Sequence, residues 1–398
     1  MAKHFQILIV GGGNAGISTA AVLLNKQKTL NIGIIEPSDK HYYQPAWTLV
    51  GGGDFDIAKT VRDEASVIPS GAEWVKDKAI GFNPAQNSVQ TLANGDITYD
   101  YLIVAPGIQL DWHKIEGLKE TLGKNQVTSN YLFQLAPYTW EAAQKVKPGD
   151  KVLFTSPDTP VKCGGAPQKI MYLLSDYFSK KGIINNLDIH FYSGGSMIFG
   201  VKKYADTLNK VLKRYGIKTH FKHKLVKIDG EAQRAWFEDA DGNTLEEQFD
   251  FIHITPPQSA PDFVKSSDLA VAGNALGWID VNKHTLQHNK YPNVFACGDA
   301  TSTPNAKTGA AIRKQVSVLV HNLMNQMRGE ALDAEYNGYG SCPLITGYGK
   351  LVLAEFDYNN NPTETFPFDQ SEERWTMYQL KKQVLPWMYW NMILSGNA

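Results

Sequence analysis

The sequence predicts an α/β fold with two Rossmann-like dinucleotide-binding domains and a C-terminal segment of different character, on three observations. An apolar strand pattern at the start of the chain runs into a glycine-rich turn and a helix. A strand–loop–helix–strand pattern begins again near Lys151. Beyond Pro343 the pattern turns into a hairpin and an aromatic tail.

Residues 6–10 form a continuous apolar run, the mark of a strand buried on both faces of a parallel sheet. Glycines follow, then a helical pattern through Leu24, then a second strand at 32–35. This β-turn-α-β order opens a doubly wound fold. Strand-like runs at 73–78, 88–92 and 101–104 lead to a loop holding Pro106 and Gly107. The second unit reads as strand 152–155, helix 168–178, strand 188–192 and helix 204–212. Runs at 251–254 and 294–296 are again buried strands, residues 309–324 are helical, and a hairpin is expected near 351–356. The implied domains are residues 1–110 with 292–330, residues 111–291, and residues 331–398.

Gly11-Gly12-Gly13-Asn14-Ala15-Gly16 fits G-x-G-x-x-G, with Glu36 twenty residues beyond Gly16 at the end of the second strand. Placed between strand and helix, this is a dinucleotide fingerprint. Gly11 permits the tight turn, Gly13 lets backbone approach a pyrophosphate, and Gly16 allows close helix packing. The helix N-terminus faces the phosphates and Glu36 the ribose hydroxyls. Ala105-Pro106-Gly107 and Cys297-Gly298-Asp299-Ala300 follow later strands, as second and third contact motifs do in flavoproteins with two dinucleotide domains. Asp299 would bond the ribityl chain, and a helix beginning near Lys307 would aim its positive end at the flavin. Together the three motifs predict FAD.

The second unit lacks the nicotinamide fingerprint. Its first strand runs into a proline-rich loop, residues 156–167, that carries Cys163 at a helix entry. The helix N-terminus, Lys162 and Lys169 would lower the thiol pKa and favour thiolate. Three cysteines in 398 residues exclude a disulfide scaffold, and a net charge of −1 gives no field for nucleic acid. No apolar run reaches the roughly 18 residues of a membrane span. The start of the chain runs directly into a strand, with no signal or transit peptide expected.

Pro160-Val161-Lys162-Cys163-Gly164-Gly165-Ala166-Pro167-Gln168-Lys169, His41-Tyr42-Tyr43-Gln44-Pro45, Val201-Lys202-Lys203-Tyr204, Ser341-Cys342-Pro343-Leu344-Ile345-Thr346-Gly347-Tyr348 and Thr365-Phe366-Pro367-Phe368-Asp369-Gln370-Ser371 resemble the sulfide:quinone oxidoreductase family, in the branch that contains the mitochondrial enzymes. The resemblance implies a redox pair made of Cys163 and Cys342, with Cys297 outside it. It carries flavin contacts to Gly12, Gly13, Glu36, Gln44, Asp299, Ala79 and Lys307. It also implies a reaction: hydrosulfide opens a Cys163–Cys342 disulfide, a persulfide forms (on Cys342 by analogy), two electrons pass through FAD to ubiquinone or another membrane quinone, and the sulfur leaves to sulfite, glutathione or polysulfide.

Residues 374–398 contain Arg374, Lys381 and Lys382, no Asp or Glu, and five Trp or Tyr residues. A helix capped by Asp369 or Ser371, with Glu372 and Glu373 in its first turn, would align Met377, Leu380, Val384 and Met388. Such a segment suits a membrane interface and a quinone pocket, and a tail packed on the protein body is the alternative. The expected location is peripheral, on the cytoplasmic face of a bacterial membrane. Rival functions are a flavoprotein that passes electrons to a cytochrome, an NADH:quinone oxidoreductase, and a flavin-binding sensor without turnover.

Overall fold

The computed structural model describes residues 3–398. Strand His4–Val10 lies between Ile32–Ile35 and Gly95–Val104, all parallel, with Ala72–Val75 and Val294–Ala296 extending the parallel set. Ser88–Thr91 and Ala79–Asn83 add an antiparallel edge. From Ile7 to Val10 the central strand is apolar because both of its faces are covered. Ile7 and Ile9 share a core with Ile17 and Leu23 of helix Asn14–Lys26 and with Leu319 and Leu323 of helix Gly309–Arg328. Leu8 and Val10 face an opposite core with Val89, Ala260, Leu269 and Val281. This alternation is the strand period of two read through two covered faces.

The second sheet is wholly parallel, in the order Val127–Thr128, Phe251–His253, Lys151–Ser156, Asp188–Ser193, Lys218–Phe221. Helices Ala166–Lys180 and Lys202–Tyr215 pack on one face through Ile170, Leu174, Leu208 and Leu212. A three-stranded antiparallel sheet, Lys224–Asp229, Arg234–Glu238 and Thr244–Gln248, covers the other through Leu225 and Phe237. The sequence does not predict that sheet. Its edge strand, Thr-Leu-Glu-Glu-Gln, is almost entirely polar and carries no alternation to detect.

The hairpin Gly340–Gly347 with Lys350–Phe356 pairs Cys342 opposite Ala354. One face joins the core of the second unit through Leu344, Val352 and Ala354. The other, through Ile345, Leu351 and Leu353, meets Leu49, Leu173, Met377 and Tyr378. The tail is therefore packed on the body along much of its length.

Two details of the tail differ from expectation. The helix starts at Trp375 with Arg374 as its cap, because Asp369 is taken by Ser371 and Lys203 and Glu373 by Arg214. The expected stripe also breaks, with Met377 buried and Val384 42% exposed. The turns at Leu380–Val384 and Tyr389–Ile393 widen to i→i+5 bonding around Pro386, which has no N–H to donate. One extra residue in a turn rotates every later side chain by about 100° around the axis. Among the described residues no helix is long and apolar enough to cross a membrane.

Candidate active site

The glycine loop is shaped by close approaches. Gly11 has φ +109°, and a side chain there would strike the Ala105 carbonyl; one at Gly16 would strike the Gly11 carbonyl. Gly13 instead faces open space, on the side where a pyrophosphate approaches backbone. Glu36 is held in place by N–H donors from Gly12 and Ser38, each at 2.8 Å. Burial raises its carboxyl above the ordinary range against those two bonds, and the nearby Glu64 adds to the rise.

The three motifs converge here. Ala105 and Pro106 lie against Gly11, and Gly298 (φ +84°) lies against Ala15. Gly107 (φ +74°) turns the loop beside them into open space. Thr308 caps helix Gly309–Arg328, its Oγ1 accepting from Ala311 N–H at 3.3 Å. Ala79 is buried among Val10, Ile35 and Val104, which leaves only its backbone for a ligand. A loop open at Gly13, a fixed carboxylate at Glu36 and a capped helix end fit a dinucleotide of the FAD kind.

Cys163 sits where this cradle meets the second unit and the hairpin. Its backbone is left-handed (φ +56°), a costly conformation for a residue with a side chain. Two bonds hold it: Cys163 N–H donates to the Lys307 carbonyl, and Ala166 N–H donates to the Cys163 carbonyl, both at 2.7 Å. The loop is thus tied to the helix entry that follows the third motif. Cys342 approaches from the hairpin to an Sγ–Sγ separation of 3.4 Å, with both thiols free. Gly165 makes that approach possible, since a Cβ there would lie 2.6 Å from Cys342 Sγ.

The two thiols are not equivalent. The Cys342 thiol donates to Cys163 and the Lys169 ammonium donates to the same sulfur at 2.9 Å. Those interactions hold Cys163 well below the ordinary thiol range despite its burial. Cys342, buried beside a thiolate, is pushed well above it. The site is therefore built to favour a thiolate on Cys163 beside a thiol on Cys342.

Further cations surround the pair. Lys169 acts as expected from the sequence, whereas Lys162 points away and donates to Gln44 Oε1 at 2.5 Å. Burial draws Lys162 and Lys307 each down to about 8 against the attraction of Asp299. Asp299 is raised by burial, and Lys307 and Lys162 oppose the rise. Lys381, expected from the sequence to face lipid, is buried instead. It donates to the Pro45 carbonyl at 2.8 Å and is drawn down to about 7 by burial and by Lys169. Its neighbour Lys382 pairs with Asp54 at 2.7 Å and Arg374 with Glu372 at 2.7 Å. The widened turn that carries Lys381 inward has no signature in the sequence.

Cys297 stands apart. It is fully buried under Thr19, and burial pushes its thiol up to about 12, so it stays protonated and inert. Cys297→Ser is expected to keep flavin and to change sulfide-dependent turnover less than about threefold; a loss comparable to that of a Cys163 variant would show that the pair has been misassigned.

A family model described as pyridine nucleotide-disulphide oxidoreductase matches residues 5–143. The mitochondrial sulfide:quinone oxidoreductase of Mus musculus is 46% identical over 396 residues, covering 99% of this chain and 87% of that protein. The mitochondrial enzyme of the same name from Dictyostelium discoideum is 47% identical, covering 98% and 86%. The crystal structure of the sulfide:quinone oxidoreductase of Aquifex aeolicus superposes with a TM-score of 0.83 at 22% identity, over all of this chain and 92% of that one, and shows the shared fold. These relatives overturn the expected bacterial location: the proteins matched at 46–47% identity along nearly the whole of this chain are mitochondrial enzymes of eukaryotes.

Proposed function

The chain belongs to the sulfide:quinone oxidoreductase family, and we propose that it carries out that family's reaction through Cys163 and Cys342 with FAD. A sulfide:quinone oxidoreductase moves two electrons from sulfide to quinone. The observation that carries the assignment is the Cys163–Cys342 pair at 3.4 Å, tied by one backbone bond to Lys307 at the helix entry after the third flavin motif.

The asymmetry of the pair sets the direction of exchange. In the oxidised enzyme the Cys163–Cys342 disulfide is attacked by hydrosulfide. The better leaving sulfur is the one whose thiolate is stabilised. Lys169 stabilises Cys163, so attack falls on Cys342 Sγ: the new S–S bond makes a Cys342 persulfide and the old one breaks to leave the Cys163 thiolate. Transfer of the sulfane sulfur to an acceptor leaves a dithiol, and its return to disulfide releases two electrons. FAD, when bound, supplies the two-electron carrier between that dithiol and quinone. Lys169 and Lys381, the lysines whose charge acts on Cys163, favour small anions as sulfide donor and sulfur acceptor; sulfite, glutathione thiolate and polysulfide all meet that description.

The tail supports a peripheral membrane role with altered physics. Trp375 and Trp387 are 64% and 58% exposed, while Arg374, Lys381 and Lys382 are paired or buried. A groove of about 490 Å³ between the tail and residues 54–62, lined in part by Phe55, Val61, Pro386 and Trp390, would admit quinone from that side. Attachment should therefore rest on aromatic insertion rather than charge. Liposome flotation should change little between low and high salt and fall in a Trp375→Ser, Trp387→Ser double variant. Strong release by salt alone would return the role to the cations.

The function as a whole is tested by reduction of a soluble quinone with sulfide or NADH as donor. Sulfide should support turnover and NADH should not; the reverse pattern would favour the NADH:quinone alternative.

A further inference from the structure

The far end of the tail reaches the helix that follows the glycine loop. Asn25 Nδ2 of the helix after the glycine loop donates to Ser395 O at 2.9 Å, and Leu394 shares the core of that helix with Ile17 and Leu23. Arg62 lies over the Trp390 indole at 4.4 Å. Tyr389 is buried, packs on Tyr43 with ring centroids 4.8 Å apart, and places its hydroxyl 2.6 Å from His41 Nε2.

His41 is itself buried, and its other nitrogen meets two acceptors: the Gly12 carbonyl at 3.0 Å and Glu64 Oε2 at 3.2 Å. Nδ1 therefore carries a proton, and Nε2 is left to pair with the Tyr389 hydroxyl. The chain of bonds runs from Tyr389 through His41 to Gly12 O. Gly12 N–H is meanwhile fixed on Glu36. Both polar groups of the residue between Gly11 and Gly13 are thus held by side chains, and one of them is held through the tail.

We propose that Tyr389 and His41 form a latch, positioning residues through which the C-terminal tail fixes the glycine loop and sets how tightly the enzyme holds the adenosine half of its cofactor. The inference rests on FAD being that cofactor. Neither residue lies in the three motifs that predict FAD, and neither is placed to touch the reacting sulfurs. Loss of the tail contact frees the imidazole to turn, so the Gly12 carbonyl loses its donor and the loop relaxes where the pyrophosphate binds.

Apoprotein of the full chain, titrated with FAD and followed by quenching of flavin fluorescence, tests the latch. Tyr389→Phe keeps the ring stack and removes one hydroxyl, and should weaken FAD binding about tenfold, the cost of one buried hydrogen bond. His41→Asn keeps a donor near the position of Nδ1 and loses the partner of Tyr389, so it should weaken binding by a similar factor. The double variant should be no weaker than the worse single one, because both break the same link. Bleaching by sulfide at saturating FAD should keep its wild-type rate, and the melting temperature of the apoprotein should move little. Losses that multiply in the double variant, unchanged FAD affinity in Tyr389→Phe, or an affinity loss matched by an equal fall in apoprotein stability would each overturn the latch. Wild-type protein that fails to bind FAD at all would overturn the cofactor assignment beneath it.

Discussion

Cys163→Ser and Cys342→Ser are each expected to lower sulfide-dependent quinone reduction by at least about a thousandfold while flavin stays bound. A serine hydroxyl can neither form the disulfide that sulfide opens nor carry a persulfide, so each variant removes the electrophile. The two should fail alike in turnover and differ in their remaining thiol. Cys342→Ser keeps Lys169 on Cys163 at 2.9 Å and so keeps a reactive thiolate, quickly alkylated at neutral pH. Cys163→Ser leaves Cys342 buried without its thiolate neighbour, and alkylation should be slow. Flavin should be retained because residue 163 is tied by its backbone to Lys307, at the helix entry after the third motif, and that bond survives the substitution. Turnover above a tenth of wild type in either variant would remove the pair from the mechanism.

Lys169→Met is the second large effect. The buried ammonium has the two sulfurs as its charge partners, and they hold its pKa above the ordinary lysine range against burial. Its removal takes away the charge that keeps Cys163 low, so the Cys163 pKa rises. Since the thiolate is the working form, activity should fall at neutral pH by about ten- to a hundredfold, one to two pKa units of lost stabilisation. The acid limb of kcat/KM should then move to higher pH, and raising the pH should restore much of the loss. Lys169→Arg, which keeps the charge, should shift the limb less. A uniform loss across the whole pH range would mean that Lys169 serves packing rather than the thiolate.

The cofactor cradle is legible in the sequence because its requirements are local. A glycine that must be left-handed, a strand buried on both faces and an acidic residue about twenty positions on leave marks within a short window, and Gly11, Gly13, Gly16 and Glu36 carry them. Cys163 is visible as a thiol at a helix entry, and its partner Cys342 only through family resemblance, since nothing near Cys342 announces a contact 179 residues away. The tail departs from expectation for a different reason. Its composition suggests an amphipathic helix, and a regular helix would turn Lys381 toward lipid. Two widened turns around Pro386 change the phase, bury Lys381 beside the cysteines and deliver Tyr389 to His41. Those positions are fixed by packing against Pro45 and Tyr43, contacts that span more than three hundred residues and leave no periodicity to read.

Electrons are expected to enter the flavin from sulfide through the cysteine pair. The most direct test is anaerobic addition of sulfide, and separately of NADH, to the FAD-loaded protein while flavin absorbance is followed. With sulfite present as sulfur acceptor, the wild-type flavin should bleach with sulfide and stay oxidised with NADH, and in Cys342→Ser it should stay oxidised with both. A flavin that sulfide leaves oxidised in the wild type, or bleaches at the same rate in Cys342→Ser, would contradict the account.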